Sequence, residues 1–228
     1  MKVVTIIQAR TSSQRLPNKV LMDVNGRSLL DRVIDQCLKI SESISLWVAT
    51  SNKSDDDGIQ FVCERRGVRC FRGSLDDVRS RFYNIALEEQ ADIVVRVTAD
   101  NPLVEPRYAD QMIVYLKQHT DCDYVRMLQD VIPYGSGSEA FTFNALQLAV
   151  QEHDTPQNRE HVTPALIQHS RMVELCPSDH DMVARRHCNV TVDTTQQYLD
   201  MVQLFQTYGQ ENMLRQIICK VNNQQALR

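Results

Sequence analysis

Apolar positions open the chain in a block. Val3, Val4, Ile6 and Ile7 run together with only Thr5 between them, and a β-branched stretch of this kind predicts a buried strand over 3–8. The spacing then changes. Ser28 stands as an N-cap before Leu29, Leu30, Val33, Ile34, Cys37 and Leu38, which share one face of a helix. Strands follow at 46–50, 69–71 and 93–98, with helices at 55–66 and 76–89 between them. Pro106 suits the first turn of a helix over 106–118. Strands alternating with helices imply a mainly parallel sheet covered on both faces, an α/β fold. After about Thr120 the pattern loosens. Short strands are expected at 123–127, 139–143, 172–176 and 190–192, and helices at 144–152, 156–168, 195–208 and near 211–219. The expected organisation is one domain over 1–228, with an irregular segment at about 120–188.

Composition narrows the function classes. A chain of 228 residues with 43% hydrophobic content can bury one substantial core. Its net charge of −4 offers no general basic face for nucleic acid. Seven scattered cysteines, odd in number and without a CxxC pair, fit reduced thiols in a cytoplasmic protein better than a disulfide framework or a zinc site. The first apolar run is too short for a signal peptide, and no later one approaches a membrane span.

Against this acidic background one cationic loop stands out. Arg10, Arg15 and Lys19 fall within ten residues after the first strand, with Ser12, Ser13 and Pro17 among them. Backbone amides and hydroxyls can take polyphosphate oxygens there, while Arg supplies a forked donor and Lys a point charge. A solvated turn is the plainer reading, but open α/β sheets bind ligands beyond the carboxyl ends of their strands. Two acidic residues share that address. Asp100 ends the strand 93–98 before Asn101-Pro102, and Asp193 follows Asn189–Val192 before Thr194-Thr195. Singly, these read as an Asx-turn residue and a helix cap. Together they can share a Mg²⁺, a hard ion that takes carboxylate and phosphate oxygens at once. Cations for phosphate beside carboxylates for a metal point to nucleotidyl transfer.

Other features have ordinary readings. Trp47 sits in a strand as core rather than as a stacking platform. Asp55-Asp56-Asp57 could attract a cation but reads more simply as helix N-terminal carboxylates. Gly135-Ser136-Gly137 could cradle a ligand, though Pro133-Tyr134-Gly135 is more often simply a turn. His161 has Ala165 at i+4 and so no metal partner. The stretch Arg159-Glu160-His161 is either acceptor-binding, with His161 on an acceptor anion, or a dimer contact.

The motifs together resemble a known family. Gln8-Ala9-Arg10-(x)2-Ser13-x-Arg15-Leu16-Pro17-x-Lys19-Val20-Leu21 and Arg96-Val97-Thr98-Ala99-Asp100-Asn101-Pro102-Leu103 are similar to the sugar-activating cytidylyltransferases, above all the spore coat polysaccharide SpsF-like group. The CMP-Kdo and CMP-sialate synthetases are related to it. Gly26–Leu30, Arg72-Gly73-Ser74, Asp77-Val78, Arg81-Phe82, Glu139, Arg159–Pro164 and Thr191-Val192-Asp193-Thr194 continue the match in order over about 1–205. The resemblance implies a nucleotide-diphosphosugar transferase-like three-layer sandwich and a nucleotide site of Ala9, Arg10, Ser12, Ser13, Arg15, Lys19, Ser74, Arg81 and Thr98. In that reading Arg10 and Lys19 lie on the triphosphate, Arg81 faces the nucleotide, and Thr98 lies beside the base. Asp100 and Asp193 would be the Mg²⁺ ligands, and Arg10, Lys19 and Asp100 would carry catalysis. Glu139, Arg159 and His161 would meet the acceptor, a small acidic sugar or phosphate, and the enzyme would be a homodimer in surface polysaccharide biosynthesis. Ser12 and Asn18 stand where the family often carries glycine, and Arg79-Ser80 replaces a commoner Leu-Asp. A nucleotide-sugar-dependent glycosyltransferase and a catalytically inactive nucleotide-binding relative are the alternatives.

Overall fold

The computed structural model describes residues 1–152, 155–184, 187–209 and 212–223. Its first half alternates β1 (Val3–Gln8), α1 (Leu29–Cys37), β2 (Ser45–Ser51), α2 (Asp57–Arg66), β3 (Arg69–Gly73), α3 (Val78–Glu89), β4 (Ile93–Thr98) and α4 (Pro106–Gln118). The second half holds β5 (Tyr124–Met127), β6 (Glu139–Thr142), α5 (Phe143–Glu152), α6 (Pro156–Glu160), α7 (Pro164–His169), β7 (Met172–Leu175), α8 (Thr195–Tyr208) and α9 (Met213–Asn223). The expected start of the last helix, Glu211, lies outside the described residues.

Local chemistry sets the boundaries. The Ser28 hydroxyl accepts from the Asp31 amide while Asp31 reaches back to Ser28, a capping box that starts α1. Pro106 occupies the first turn of α4, where its missing N–H costs nothing. The single helix expected over 156–168 is two helices, because Pro164 cannot continue α6 and instead begins α7.

Seven strands form one sheet in the order β3-β2-β1-β4-β6-β5-β7. The strands β1 to β4 pair in parallel, as do β5 and β7, while β6 runs antiparallel to both β4 and β5. The sheet is therefore mainly parallel and sandwiched between helical layers. Val3, Ile7, Val48, Val95 and Val97 pack on one side against α1, α2, α4, α8 and α9. Val4, Ile6, Trp47, Val94 and Phe141 pack on the other against α3, α5 and α7. Each fully buried aliphatic side chain contributes about 1.5–3 kcal/mol, so both layers hold the sheet edge rigidly. Trp47 is core, as expected, and its indole N–H donates to Glu89. Among the described residues no helix is long and apolar enough to cross a membrane.

One expected strand is absent. Residues 190–192 form no ladder, although Val190 and Val192 are fully buried. Their amides donate to the carbonyls of Tyr134 (2.8 Å) and Asp100 (2.9 Å), both in loops. The apolar alternation reported burial against loops rather than against a neighbouring strand.

Candidate active site

The carboxyl ends of β1, β2 and β4 meet at one edge, and the loop after β1 folds across it. Ala9 is buried, and its amide donates to Ala49 O at 3.1 Å, extending the β1–β2 pairing. Thr11 turns the loop: its carbonyl accepts from the amides of both Ser13 and Asn18 at 2.9 Å. Asn18 takes a left-handed conformation, φ 61°, a backbone position that favours glycine. Asn is one of the few residues that tolerate it. A short 3-10 turn, Lys19–Leu21, follows.

The anchor of this loop is Asp56, which the sequence presents as one of three carboxylates at a helix start. Its side chain caps no helix. One oxygen accepts from the Thr11 amide (2.8 Å) and hydroxyl (2.7 Å), the other from the Ser51 amide (3.2 Å) and hydroxyl. Burial pushes the Asp56 carboxyl upward, but these hydrogen bonds outweigh it and hold the group below the usual carboxylate range. Forty-five residues separate Asp56 from Thr11, and no local pattern carries that pairing.

Lys19, Asp100 and Asp193 converge at the centre. The Lys19 ammonium, its side chain only 9% exposed, lies 2.8 Å from Asp100 Oδ2, 2.8 Å from Asp193 Oδ1 and 2.9 Å from Val192 O. Arg15 reaches Asp193 Oδ1 at 3.0 Å from the solvent side. Asp193 does not cap α8; Thr194 does, in a capping box with Gln197. Asp193 arrives instead on the buried segment 190–192, which is clamped by the Val192 amide donating to Asp100 O and by Gly135. Gly135 has φ 92°, and a Cβ there would lie 2.7 Å from the Thr191 nitrogen. The turn at 133–137 therefore positions an acidic site residue, and its Gly135 and Gly137 line the second cavity.

Two cavities flank this centre. One of about 510 Å³ is lined by Arg10, Ser12, Ser13, Arg15, Lys19, Thr98, Asp100, Glu160 and Asp193, among others. The second, of about 520 Å³, shares Arg15, Thr98, Asp100 and Asp193 and extends over Arg96, Asn101, Arg126, Ser138, Glu139 and His161. Its floor is a row of alternating charges across the sheet: Arg96 pairs with Glu139, which also accepts from Tyr124 Oη, and Arg126 pairs with Glu174 at 2.7 Å. Ser138 is 5% exposed, and its hydroxyl has no hydrogen-bond partner among the described residues.

Most of the expected residues thus share one site, and four do not line either cavity: Ala9, buried beneath the loop, and Ser74, Arg159 and Arg81. Ser74 is exposed beside β3, and Arg159 is exposed on α6. Arg81 is 1% exposed, and burial pushes its guanidinium down to about 10. Its nearest acceptors, Leu75 O and Ala49 O, are at 3.4 and 3.5 Å, and its Nε has no partner among the described residues. Glu160, 3.7 Å from Arg10, Arg96 and Ser138 are site residues that the sequence pattern does not announce. Two of them leave a trace there, Glu160 inside the Arg159–His161 motif and Arg96 at the head of the Arg96–Leu103 motif, and the pattern gives neither a role.

The family model for cytidylyltransferases matches residues 4–223. The chain belongs to the cytidylyltransferase family. This cytidylyltransferase is 35% identical over 222 residues to an uncharacterized protein of Methanocaldococcus jannaschii, covering 96% of this chain and 89% of that one. It is 32% identical over 222 residues to the spore coat polysaccharide biosynthesis protein SpsF of Bacillus subtilis, covering 91% and 88%. A cytidylyltransferase structure from Leptospira borgpetersenii superposes with a TM-score of 0.87 at 24% identity, over 99% of this chain and 95% of that one. A CMP:2-keto-3-deoxy-manno-octonic acid synthetase complexed with CTP superposes at 0.69 with 18% identity, over 90% and 99%. The expected family, fold and nucleotidyltransferase class hold.

The donor set suits a hard cation. Two carboxylates present one oxygen each to a common point, 2.8 Å from one nitrogen. Among the described residues no group of three His, Cys, Asp or Glu side chains is arranged for a metal. Such a pair of oxygens fits Mg²⁺, which usually takes one or two carboxylates and completes its shell with water and substrate phosphates.

Proposed function

We propose that this enzyme transfers a cytidylyl group from CTP to an acidic sugar or related phosphate-bearing acceptor, releasing pyrophosphate, in a Mg²⁺-dependent reaction of surface polysaccharide biosynthesis. The observation that carries this reading is the meeting of Lys19, Asp100 and Asp193 at the wall shared by two cavities. One cavity suits a triphosphate, the other an acceptor, and the shared wall is where the two would react.

In this reading the loop amides and the hydroxyls of Ser12 and Ser13 hold phosphate oxygens, with Arg10, Arg15 and Lys19 supplying charge. Arg81, a buried cation whose partners among the described residues are two carbonyls at 3.4 and 3.5 Å, faces a polar group of the nucleotide, and Thr98 borders the base. Asp100 and Asp193 hold Mg²⁺, which neutralises charge on the phosphates when bound. Glu139, Ser138 and His161 orient the acceptor so that one of its oxygens faces the α-phosphorus in line. The chain's work is positioning and charge stabilisation, with no covalent intermediate.

A pyrophosphate-release screen tests the proposal: four nucleoside triphosphates with Mg²⁺ against a panel of acidic sugars and polyol phosphates. Release with CTP and an acidic sugar is expected. No pyrophosphate from the triphosphates, together with nucleoside diphosphate released from an added nucleotide sugar, would mark a glycosyltransferase, and nucleotide binding without turnover across the panel would mark a non-catalytic relative.

A further inference from the structure

The ammonium of Lys19 sits where the proposed cation would sit. Its three N–H donors are all used, on two carboxylate oxygens and one carbonyl oxygen at 2.8–2.9 Å. A ring of oxygens around a compact charge is a hard-cation environment, here filled by the protein itself. Without a cation between them, Asp100 and Asp193 would repel each other.

The surrounding charge is balanced as well. The ionised side chains lining the first cavity are Arg10, Arg15 and Lys19 against Asp100, Glu160 and Asp193, three of each sign. Arg10 touches Glu160, Arg15 touches Asp193, and Lys19 touches both Asp100 and Asp193. A free divalent ion therefore meets carboxylates already neutralised, and a free triphosphate meets cations already engaged. Lys19 also borders the cavity that the loop encloses, so its flexible stem can carry the charge from carboxylate to phosphate.

We infer that Lys19 is an internal stand-in for the divalent cation: it holds Asp100 and Asp193 together in the ligand-free enzyme and yields them when metal and nucleotide arrive together. Arg15 leaves Asp193 in the same exchange. The inference rests on the metal-dependent reading above. It makes metal and nucleotide affinities mutually reinforcing, because each ligand releases the groups that the other needs.

The test is Mn²⁺ binding to the nucleotide-free protein, followed by the electron paramagnetic resonance signal of the free ion. Lys19→Met, which keeps the stem and removes the charge, should bind Mn²⁺ roughly tenfold or more tightly than wild type. Adding Asp193→Asn to that variant should abolish the gain. If Lys19→Met is too unstable for titration, its melting temperature is read instead. Millimolar Mg²⁺ should raise the Tm of Lys19→Met while leaving wild type nearly unchanged. Equal Mn²⁺ affinity in the two proteins, or an equal Mg²⁺ shift in Tm, overturns the inference. Neither result touches the proposed reaction, which stands or falls on pyrophosphate release by the wild-type enzyme.

Discussion

Replacing Asp56 tests whether the phosphate loop is locked from below. The carboxylate is 2% exposed and accepts four hydrogen bonds, two from Thr11 and two from Ser51. Asp56→Ala strands the amides of Thr11 and Ser51 in a buried site, each at a cost of about 1–3 kcal/mol, and removes bonds to a charged acceptor. Non-additivity trims the total to roughly 3–5 kcal/mol, or about 10 °C in Tm for a domain of this size. Asp56→Asn keeps the shape but turns an N–H₂ toward two donors, and should cost about 2 kcal/mol. Acidity supplies a second readout. Because hydrogen bonding holds the folded carboxyl below its unfolded value of about 3.9, its stabilisation is complete above that pH and fades as pH falls through the folded pKa. Urea unfolding of wild type and Asp56→Ala should show a constant gap between about pH 5 and 8 that narrows below about pH 4. A variant within 0.5 kcal/mol (roughly the scatter of neutral surface changes) at pH 7, or a gap that widens on acidification, would refute the lock. The KM for nucleotide should rise in parallel, since the loop over Ala9–Ser13 loses its anchor.

Three further outcomes follow from the site. Asp100→Asn should fold normally and lose on the order of 10²–10³ in turnover, measured as pyrophosphate release; full activity would remove Asp100 from the metal pair. Gly135→Ala should push Thr191 and with it Asp193 out of place, raising the Mg²⁺ concentration needed for half-maximal rate more than it raises the KM for nucleotide. Ser138→Ala should leave stability within about 0.5 kcal/mol in thermal unfolding, because its hydroxyl has no partner to lose among the described residues, while the KM for the acceptor increases.

Local pattern carried most of the first half of this fold, and α8 in the second. The expected spans 3–8, 93–98, 106–118 and 195–208 coincide with β1, β4, α4 and α8, each a run with a clear apolar period and, for the helices, a Pro or Thr at the start. It failed where burial comes from loops, as at 190–192, and at 156–168, where a polar, exposed α6 precedes the Pro164 that begins α7. The site divided in the same way. Arg10, Lys19, Asp100 and Asp193 were visible because strand ends with charge are visible. Their mutual pairing was not, since Lys19 and Asp193 are 174 residues apart. The role of Asp56 and the lone hydroxyl of Ser138 depend on contacts that no window of sequence contains.

The reversal of β6 has a consequence for how such enzymes diversify. Because β6 runs against β4 and β5, the connection 128–138 lies at the same edge as the carboxyl ends of the parallel strands. It supplies Gly135, Gly137 and Ser138 to the second cavity and nothing to the first. The loop after β1 supplies most of the first. Two segments far apart in sequence thus build two neighbouring chambers, and one can be rewritten while the other stays fixed. Lengthening or exchanging 128–138 should alter which acceptor is admitted and leave nucleotide capture intact, provided Gly135 still steers the segment that ends in Asp193. On the proposed reading, the reversed strand sets the loop that would meet the acceptor apart from the loop that would meet the nucleotide.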